Sequence, residues 1–206
     1  MRLHVDTFEF ADGERREREI VEHPGAVAIV ALDGEDVVLV RQHRAPAERV
    51  LLEIPAGTRD RRPDGTIEDP DTTASRELAE ETGLAAGSWR HIARFWTAPG
   101  FATETMDLYV ATDLRPAAPA GPAEDERLAV VRVPLDRAVE MVEEGEIADA
   151  KSIVGVLWAA RLRERAARPP RSPRGGAAPR GTGRSAAPSP RRGAGARGRG
   201  RAGRGA

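Results

Sequence analysis

The chain has 206 residues, of which 40% are hydrophobic, which is enough for one domain with a substantial core. It contains no cysteine, which excludes disulfides, cysteine-based zinc sites and thiol nucleophiles. No apolar run reaches about 18 residues and the first residues have no signal-peptide core, so we expect no membrane span and a cytoplasmic location.

The net charge of −1 conceals an asymmetry along the chain. Residues 168–206 contain eleven Arg and no acidic residue, which leaves residues 1–167 with a net charge of −12. The basic segment is rich in Gly, Pro, Ala and Ser, so we expect a disordered tail beside a folded domain over 1–167. Its Gly–Arg repeats are typical of nucleic-acid-binding segments, but it lacks aromatic residues, and a merely solvated tail is the favoured alternative.

Alternating apolar and polar residues, together with short apolar runs, predict a series of strands in the first part of the chain. The first two surround a polar turn at Asp12-Gly13, and the third is a continuous apolar run typical of a buried strand. A polar stretch after them reads as an extended turn. The predicted strands cover residues 5–10, 17–23, 26–32, 37–44 and 49–54, and the turn covers residues 59–65.

Helix start and stop signals then bracket an acidic segment. Asp69 suits an N-cap and Pro70 suits the first helical position. Gly83 suits the left-handed turn that often ends a helix. These signals predict a helix over residues 70–82.

Three glutamates lie near the end of this predicted helix. Glu77, Glu80 and Glu81 are spaced i, i+3 and i+4, so their carboxylates share one helix face. Like charges at this spacing repel one another, and a bound hard cation reverses the sign of that interaction. The ordinary alternative is a solvated acidic face. The functional one is a Mg²⁺ or Mn²⁺ site that also holds substrate phosphates.

The second half of the chain mixes strands and helices without strict βαβ alternation, which favours an α+β or mixed-sheet sandwich over a doubly wound sheet. A Pro/Ala-rich loop separates the later strands. The predicted elements are strands at 89–96, 106–112 and 128–133, a loop at 115–122, and helices at 137–144 and 149–165.

The acidic helix and its approach resemble the signature of the Nudix hydrolases, in which a Glu and seven residues precede Arg-Glu-apolar-x-Glu-Glu-x-Gly-apolar. From Glu68 to Leu84 every required residue stands at the required spacing. Ten residues separate Gly57 from Glu68, where the family usually has five, so we expect a longer loop beside an intact helix. The resemblance implies an α/β/α sandwich with a mixed sheet between helices, plus a small N-terminal antiparallel β-region.

Other segments resemble the ADP-ribose pyrophosphatase subgroup of that family, including Pro99, which lies sixteen residues after Gly83. The remaining similar segments are residues 18–27, 41–44 and 145–151. The resemblance implies a Mg²⁺-dependent hydrolase, with Mn²⁺ as an alternative ion, that cleaves ADP-ribose or a related nucleoside diphosphate sugar to AMP and a sugar phosphate. It also implies a homodimer whose dimerisation element is residues 1–25.

The resemblance assigns metal ligands to individual residues. They are the main-chain carbonyl of Ala56 and the carboxylates of Glu77, Glu80, Glu81 and Glu124. Such oxygen ligands suit Mg²⁺ or Mn²⁺, which would neutralise a diphosphate and lower the pKa of an attacking water.

The same resemblance assigns the catalytic and substrate contacts. Glu126 is the expected general base and Glu80 a second catalytic candidate. Arg18 and Arg44 are expected to contact the substrate, since Arg binds phosphate bidentately, and Glu104 is expected at its sugar or terminal-phosphate region. For the arginines the alternative is an exposed strand charge, and for the two loop glutamates it is an acidic loop tip.

The remaining charged residues of the motif have supporting roles in this interpretation. Arg76 would orient a ligand glutamate, and Glu68 would hold the loop before the helix. The histidines show no pairing pattern and are expected to be structural: His4, His23, His43 and His91. Two rival functions stay open at this point, a Nudix-like ligand sensor with a nucleic-acid-binding tail and a Nudix enzyme for another nucleotide sugar.

Overall fold

A computed structural model describes residues 1–118 and 128–167. The loop with Glu124 and Glu126 and the basic segment 168–206 lie outside the described residues, so the predictions for them stay predictions. Within the described part, no helix combines the length and the apolar character that a membrane-spanning segment requires.

The described strands form two sheets. A small antiparallel sheet pairs the first two strands, and a larger mixed sheet has the order β5-β4-β3-β8-β7, with β6 paired to β3 and β9 paired to β4. The strands are β1 (Arg2–Glu9), β2 (Arg15–Glu22), β3 (Ala26–Asp33), β4 (Asp36–Arg44), β5 (Arg49–Glu53), β6 (Ala56–Thr58), β7 (Leu84–Trp96), β8 (Thr105–Pro116) and β9 (Ala129–Pro134).

Three α-helices cover the larger sheet: α1 (Pro70–Thr82), α2 (Leu135–Glu143) and α3 (Ala150–Ala167). Helix α1 packs Ala74 and Leu78 on one face of the sheet, against a cluster that includes Ile29. Helices α2 and α3 pack on the other face, with Met141 and Val156 in the second cluster. The α/β/α sandwich with a mixed sheet and a small N-terminal hairpin is therefore confirmed.

Strand β3 is the centre of the molecule because it is buried on both faces. It runs parallel to β8 over its first six residues, while β6 and β4 share its other edge. Because β4 and β6 run antiparallel to β3 and β8 runs parallel to it, the end of β4, strand β6 and the start of β8 lie at the same end of the sheet. A continuous apolar run is the composition that such a doubly covered strand requires.

Helix α1 has the predicted bounds, and the capping residues at its two ends explain why it begins and stops there. The Asp69 carboxylate accepts a hydrogen bond from the Asp71 N–H, and Pro70 fills the first helical position. Gly83 lies in the left-handed region at φ 68°, and its N–H donates to the Ala79 carbonyl. The helix therefore stops just after the acidic residues, with its inner face fixed on β3.

Helix α3 approaches the sheet closely because it carries Gly155. A Cβ at this position would lie 2.8 Å from Ile54 Cδ1 and 2.9 Å from Val30 Cγ2. One turn earlier, the Ser152 hydroxyl accepts a hydrogen bond of 2.8 Å from the Ile54 N–H. These contacts fix the start of α3 beside the end of β5.

Three local predictions need correction. Strand β6 was not predicted as a separate strand, and it pairs with the start of β3. Strands β7 and β8 are longer than predicted, and residues 115 and 116 belong to β8 instead of a loop. The antiparallel pairing Leu84↔Pro116 carries residues of low strand propensity into the sheet, because cross-strand pairing outweighs local preference.

The extra residues between Gly57 and Glu68 form a tight hairpin-like turn. The Arg62 N–H donates to the Thr66 carbonyl at 2.8 Å, and the Asp64 carboxylate accepts from the Thr66 N–H at 2.9 Å. The insertion therefore closes on itself, and α1 keeps its predicted start.

Candidate active site

A cleft of about 730 Å³ opens at the end of the sheet where β4, β6 and β8 meet the last turns of α1 and the start of α3. One wall is acidic and comes from α1, and the facing wall contains two cations. The principal polar side chains on these walls are Arg44, Arg76, Glu77, Glu80, Glu81, Thr97, Glu104, Asp149 and Lys151.

Gly57 lies at the base of the acidic wall, directly against the Glu77 carboxylate. A Cβ on Gly57 would lie 1.9 Å from the Glu77 carboxylate carbon, so that carboxylate occupies the space that any larger residue would need. The Glu81 carboxylate lies beside it and accepts a hydrogen bond of 3.0 Å from the Ala56 N–H. Strand β6 and helix α1 thus meet through two carboxylates instead of an apolar contact.

One guanidinium group, that of Arg76, lies among the carboxylates of this wall. Its Nη1 is 2.8 Å from Glu77 Oε1 and 2.8 Å from Glu80 Oε2. Its Nη2 is 3.0 Å from Glu68 Oε2 and 3.5 Å from Asp60 Oδ2. The excess of negative charge remains large, because one cation faces four carboxylates.

The pKa values of this wall follow from its crowding. Burial raises the pKa of the Glu77 carboxyl above its ordinary value, and the opposing attraction of Arg76 does not cancel that rise. Arg76 stays protonated, since its carboxylate partners outweigh its own desolvation and raise the pKa of the guanidinium. The Arg76 Nε atom is buried without a hydrogen-bond partner.

The donor set of this wall fits a hard divalent cation. Every available ligand atom is an oxygen, from the Glu77, Glu80 and Glu81 carboxylates and the Ala56 carbonyl. In the described part of the chain, no three His, Asp or Glu side chains already converge as metal ligands, and Arg76 pairs with two of the glutamates. A cation would replace Arg76 as their charge partner.

The facing wall depends on the buried carboxylate of Glu53, whose side chain is 1% exposed. Arg44 donates two hydrogen bonds to it, at 2.8 Å from Nε and 2.7 Å from Nη2. The Lys151 ammonium group donates to Glu53 and also to Asp149, the latter at 2.9 Å. Glu53 therefore holds the Arg44 and Lys151 side chains side by side at the edge of the cleft.

Burial alone would raise the pKa of Glu53. The hydrogen bonds from Arg44 and the charge of Lys151 outweigh burial and hold the pKa of this carboxyl below its ordinary value. Glu53 is therefore ionised at neutral pH, and its two cations keep their positions.

The cleft brings together six of the predicted site residues: Ala56, Glu77, Glu80, Glu81, Arg44 and Glu104. Arg18 does not join them, because it lies on β2 beside a separate groove, where its Nη1 donates to the Glu17 carbonyl at 2.9 Å. Glu124 and Glu126 lie outside the described residues, so the structure leaves their positions open.

Three residues of the cation wall were not singled out from the sequence: Glu53, Asp149 and Lys151. Glu53 did offer a signal, since it is a lone charge between apolar residues in a strand that pairs with the Arg44 strand. Such an inward-facing carboxylate needs a cation partner. Lys151 and Asp149 lie in a segment whose similarity to the subgroup was noted without a role for either residue.

Replacing Glu53 with Gln should lower the free energy of unfolding by about 1–3 kcal/mol at pH 7, because a buried cation loses its partner. The folded-state pKa of Glu53 is depressed, so its contribution is fully present above the unfolded value of about 4.3 and is lost as the pH falls through the folded value. Urea unfolding at several pH values should therefore show the difference between the two proteins shrinking as the pH falls below about 4.3.

Glu164→Gln provides the matched control, since Glu164 forms an exposed pair with Arg161. It should change the free energy of unfolding by less than about 0.5 kcal/mol. A Glu53→Gln variant as stable as this control at pH 7 would contradict the role of Glu53.

Comparison with known proteins shows the family of the chain. Residues 22–164 match the family model described as the NUDIX domain. The chain is 41% identical over 160 residues to a methanol dehydrogenase activator of Bacillus methanolicus, covering 77% of this chain and 84% of that one. It is 40% identical over 158 residues to an ADP-ribose pyrophosphatase of Bacillus subtilis (strain 168), covering 76% and 83%.

A solved structure is similar as well. The crystal structure of an ADP compounds hydrolase superposes with a TM-score of 0.69 at 27% identity, covering 80% of this chain and 88% of that chain. The family model spans most of the described residues and includes both walls of the cleft. The chain therefore belongs to the Nudix family of hydrolases.

Proposed function

We propose that this Nudix hydrolase cleaves the diphosphate of ADP-ribose, or of a related nucleoside diphosphate sugar, to release AMP and a sugar phosphate. The observation that carries the proposal is the facing of an oxygen-ligand wall and a cation wall across one cleft. A diphosphate between them meets Arg44 on one side and cations held by the α1 glutamates on the other. Similarity to an ADP-ribose pyrophosphatase and to an ADP compounds hydrolase supports ADP-ribose as the first substrate to test.

The proposed cofactor is Mg²⁺, with Mn²⁺ as the alternative, held by Glu77, Glu80, Glu81 and the Ala56 carbonyl. When bound, the ion neutralises phosphate charge and lowers the pKa of the attacking water. Arg76 moves from the ligand glutamates to Glu68 and Asp60, which it already contacts. Glu124 is proposed as a further ligand.

Side chains of the protein would supply the proton acceptor and the phosphate contacts. Glu126 takes a proton from the water as the water oxygen bonds to phosphorus, and the bridging oxygen leaves with the other phosphate. Arg44 binds phosphate oxygens, oriented for this by its two hydrogen bonds to Glu53. Glu80 is the alternative base, since it is the most exposed of the three α1 glutamates that line the cleft.

The N-terminal hairpin supports a homodimer. It is a two-stranded sheet, which is marginal in water on its own, and it exposes apolar side chains such as Leu3 (68% exposed) and Phe10 (47% exposed). Phe8, Phe10, Trp96 and Phe101 line a groove of about 550 Å³ that also contains Arg18. A second copy on this groove would cover the apolar side chains and bring Arg18 towards the cleft of its partner.

The activity itself is the first test. With Mg²⁺, the wild-type protein should release AMP and ribose 5-phosphate from ADP-ribose, and Glu81→Gln should lower kcat by at least about a hundredfold with the fold retained. Chromatography of the products over a panel of nucleoside diphosphate sugars measures both effects. Equal turnover in the two proteins at saturating Mg²⁺ would refute the metal-ligand assignment, and a wild type that cleaves no member of the panel would refute the proposed function.

Gly57→Ala should weaken divalent-cation binding at least about tenfold, because the added methyl group takes the place of the Glu77 carboxylate. Titration calorimetry with Mn²⁺ measures the affinity directly. Gly100→Ala is the matched control, since a Cβ at Gly100 meets nothing within 4 Å. Equal Mn²⁺ affinity in the two variants would show that Glu77 is not a ligand.

Sedimentation velocity tests the dimer. Phe10→Glu should convert a wild-type dimer to a monomer, because it adds a charge to the proposed contact surface. Trp158→Glu alters a comparably exposed aromatic residue on α3, at 41% exposure, and should leave the dimer intact. A monomeric wild type, or a Phe10→Glu dimer of unchanged stability, would rule out this interface.

A further inference from the structure

A third polar cluster lies at the cleft, on the loop between β7 and β8, and it surrounds the Glu104 carboxylate. Glu104 Oε2 accepts a hydrogen bond from the Thr97 hydroxyl, and Glu104 Oε1 lies 3.5 Å from His23 Nε2. The His23 side chain is 8% exposed and the Glu104 side chain 25% exposed. The carboxylate therefore lies between the Thr97 hydroxyl, which donates to it, and the His23 imidazole, and it still lines the cleft.

The other ring nitrogen of His23 fixes the tautomer. His23 Nδ1 accepts a hydrogen bond of 3.1 Å from the Gly25 N–H, so Nδ1 carries no proton. In the neutral ring the proton is then on Nε2, the atom nearest Glu104. The distance of 3.5 Å is longer than an ordinary N–H···O bond, so a shift of the carboxylate by a few tenths of an ångström would complete the bond.

Backbone contacts hold His23 and this loop together. The Val21 N–H donates to the Phe101 carbonyl at 2.7 Å, and the Thr103 N–H donates to the Val21 carbonyl at 3.0 Å. The His23 N–H donates to the Thr103 hydroxyl at 2.8 Å. The chain after β2 is thus fastened to the loop that ends at Glu104, which fixes the backbone of His23 relative to that loop.

We propose that His23 is a positioning residue, which together with Thr97 holds the Glu104 carboxylate as a hydrogen-bond acceptor for hydroxyl groups of the substrate's terminal sugar. The proposal rests on the proposed function and narrows it. An ionised carboxylate only accepts hydrogen bonds and repels phosphate, so Glu104 suits sugar hydroxyls and not the diphosphate. The diphosphate is instead matched by the cation wall and the metal ligands.

Two variants of His23 test the hydrogen bonds of its two ring nitrogens one at a time. His23→Asn keeps an acceptor near Nδ1 for the Gly25 N–H but removes the donor to Glu104, whereas His23→Gln keeps a donor near Nε2 and removes that acceptor. His23→Asn should raise KM for ADP-ribose about tenfold with kcat within about twofold. The reason is that the lost contact binds the substrate equally strongly in the ground state and in the transition state. His23→Gln should stay within about threefold of wild type in both constants.

Product inhibition shows which end of the substrate is affected. His23→Asn should weaken inhibition by ribose 5-phosphate about tenfold and leave inhibition by AMP unchanged. Thr97→Val, which removes the second donor to Glu104 without a change of shape, should have the same pattern. The proposal would be overturned if His23→Asn left inhibition by ribose 5-phosphate unchanged, or if it weakened inhibition by AMP equally. A His23→Gln variant as impaired as His23→Asn would also overturn it.

A measurement without turnover separates this proposal from the proposed function. Nitrogen-15 NMR of labelled histidine should show His23 with the proton on Nε2, assigned by its loss in His23→Asn, and Glu104→Gln should shift that signal. A proton on Nδ1, or a signal unaffected by Glu104→Gln, would overturn the positioning role even in an active enzyme. The expected spectrum in a protein that does not cleave ADP-ribose would support the positioning and refute only the substrate.

Discussion

The site depends on the crowding of four carboxylates around the single guanidinium group of Arg76. Three of these carboxylates belong to the motif and one, Asp60, comes from the extra loop. The sequence of α1 would be a poor choice for an isolated helix, since Glu77 and Glu81 repel one turn apart. The helix tolerates this because Ala74 and Leu78 anchor its other face in the core. Packing thus holds in place an excess of negative charge around Arg76 that a further cation would balance.

The two walls of the cleft have opposite arrangements of charge. On the α1 side, carboxylates outnumber cations, and burial raises the pKa of Glu77. On the other side, Arg44 and Lys151 flank the buried Glu53 and lower its pKa. Glu53 lies at the end of β5 and Lys151 at the start of α3, and the close approach of Gly155 to the sheet brings these two elements together. The packing of α3 on the sheet therefore assembles the cation wall from residues that are distant in sequence.

Much of the fold followed from the sequence where local signals were strong. The bounds of α1 were predictable because Asp69, Pro70 and Gly83 specify both ends by hydrogen-bond geometry. Strand β6 and the extension of β8 were not, because both depend on pairing with distant strands and not on their own residues. Charge spacing located the acidic wall, but the cation wall joins residues 98 positions apart, Glu53 and Lys151, which no local pattern connects. The role of His23 was missed for the same reason, since Glu104 reaches it only through the folded loop.

The central claim is that the α1 glutamates hold divalent cations where a diphosphate binds. Anomalous scattering from crystals grown with Mn²⁺ and a non-hydrolysable ADP-ribose analogue tests it most directly. The account predicts a peak within bonding distance of Glu77 and Glu81, about 2.1 Å for a metal of this size, with Arg76 turned away from them and the analogue's diphosphate between the two walls. Analogue bound with no peak at the glutamates, and with Arg76 still paired to Glu77 and Glu80, would contradict it.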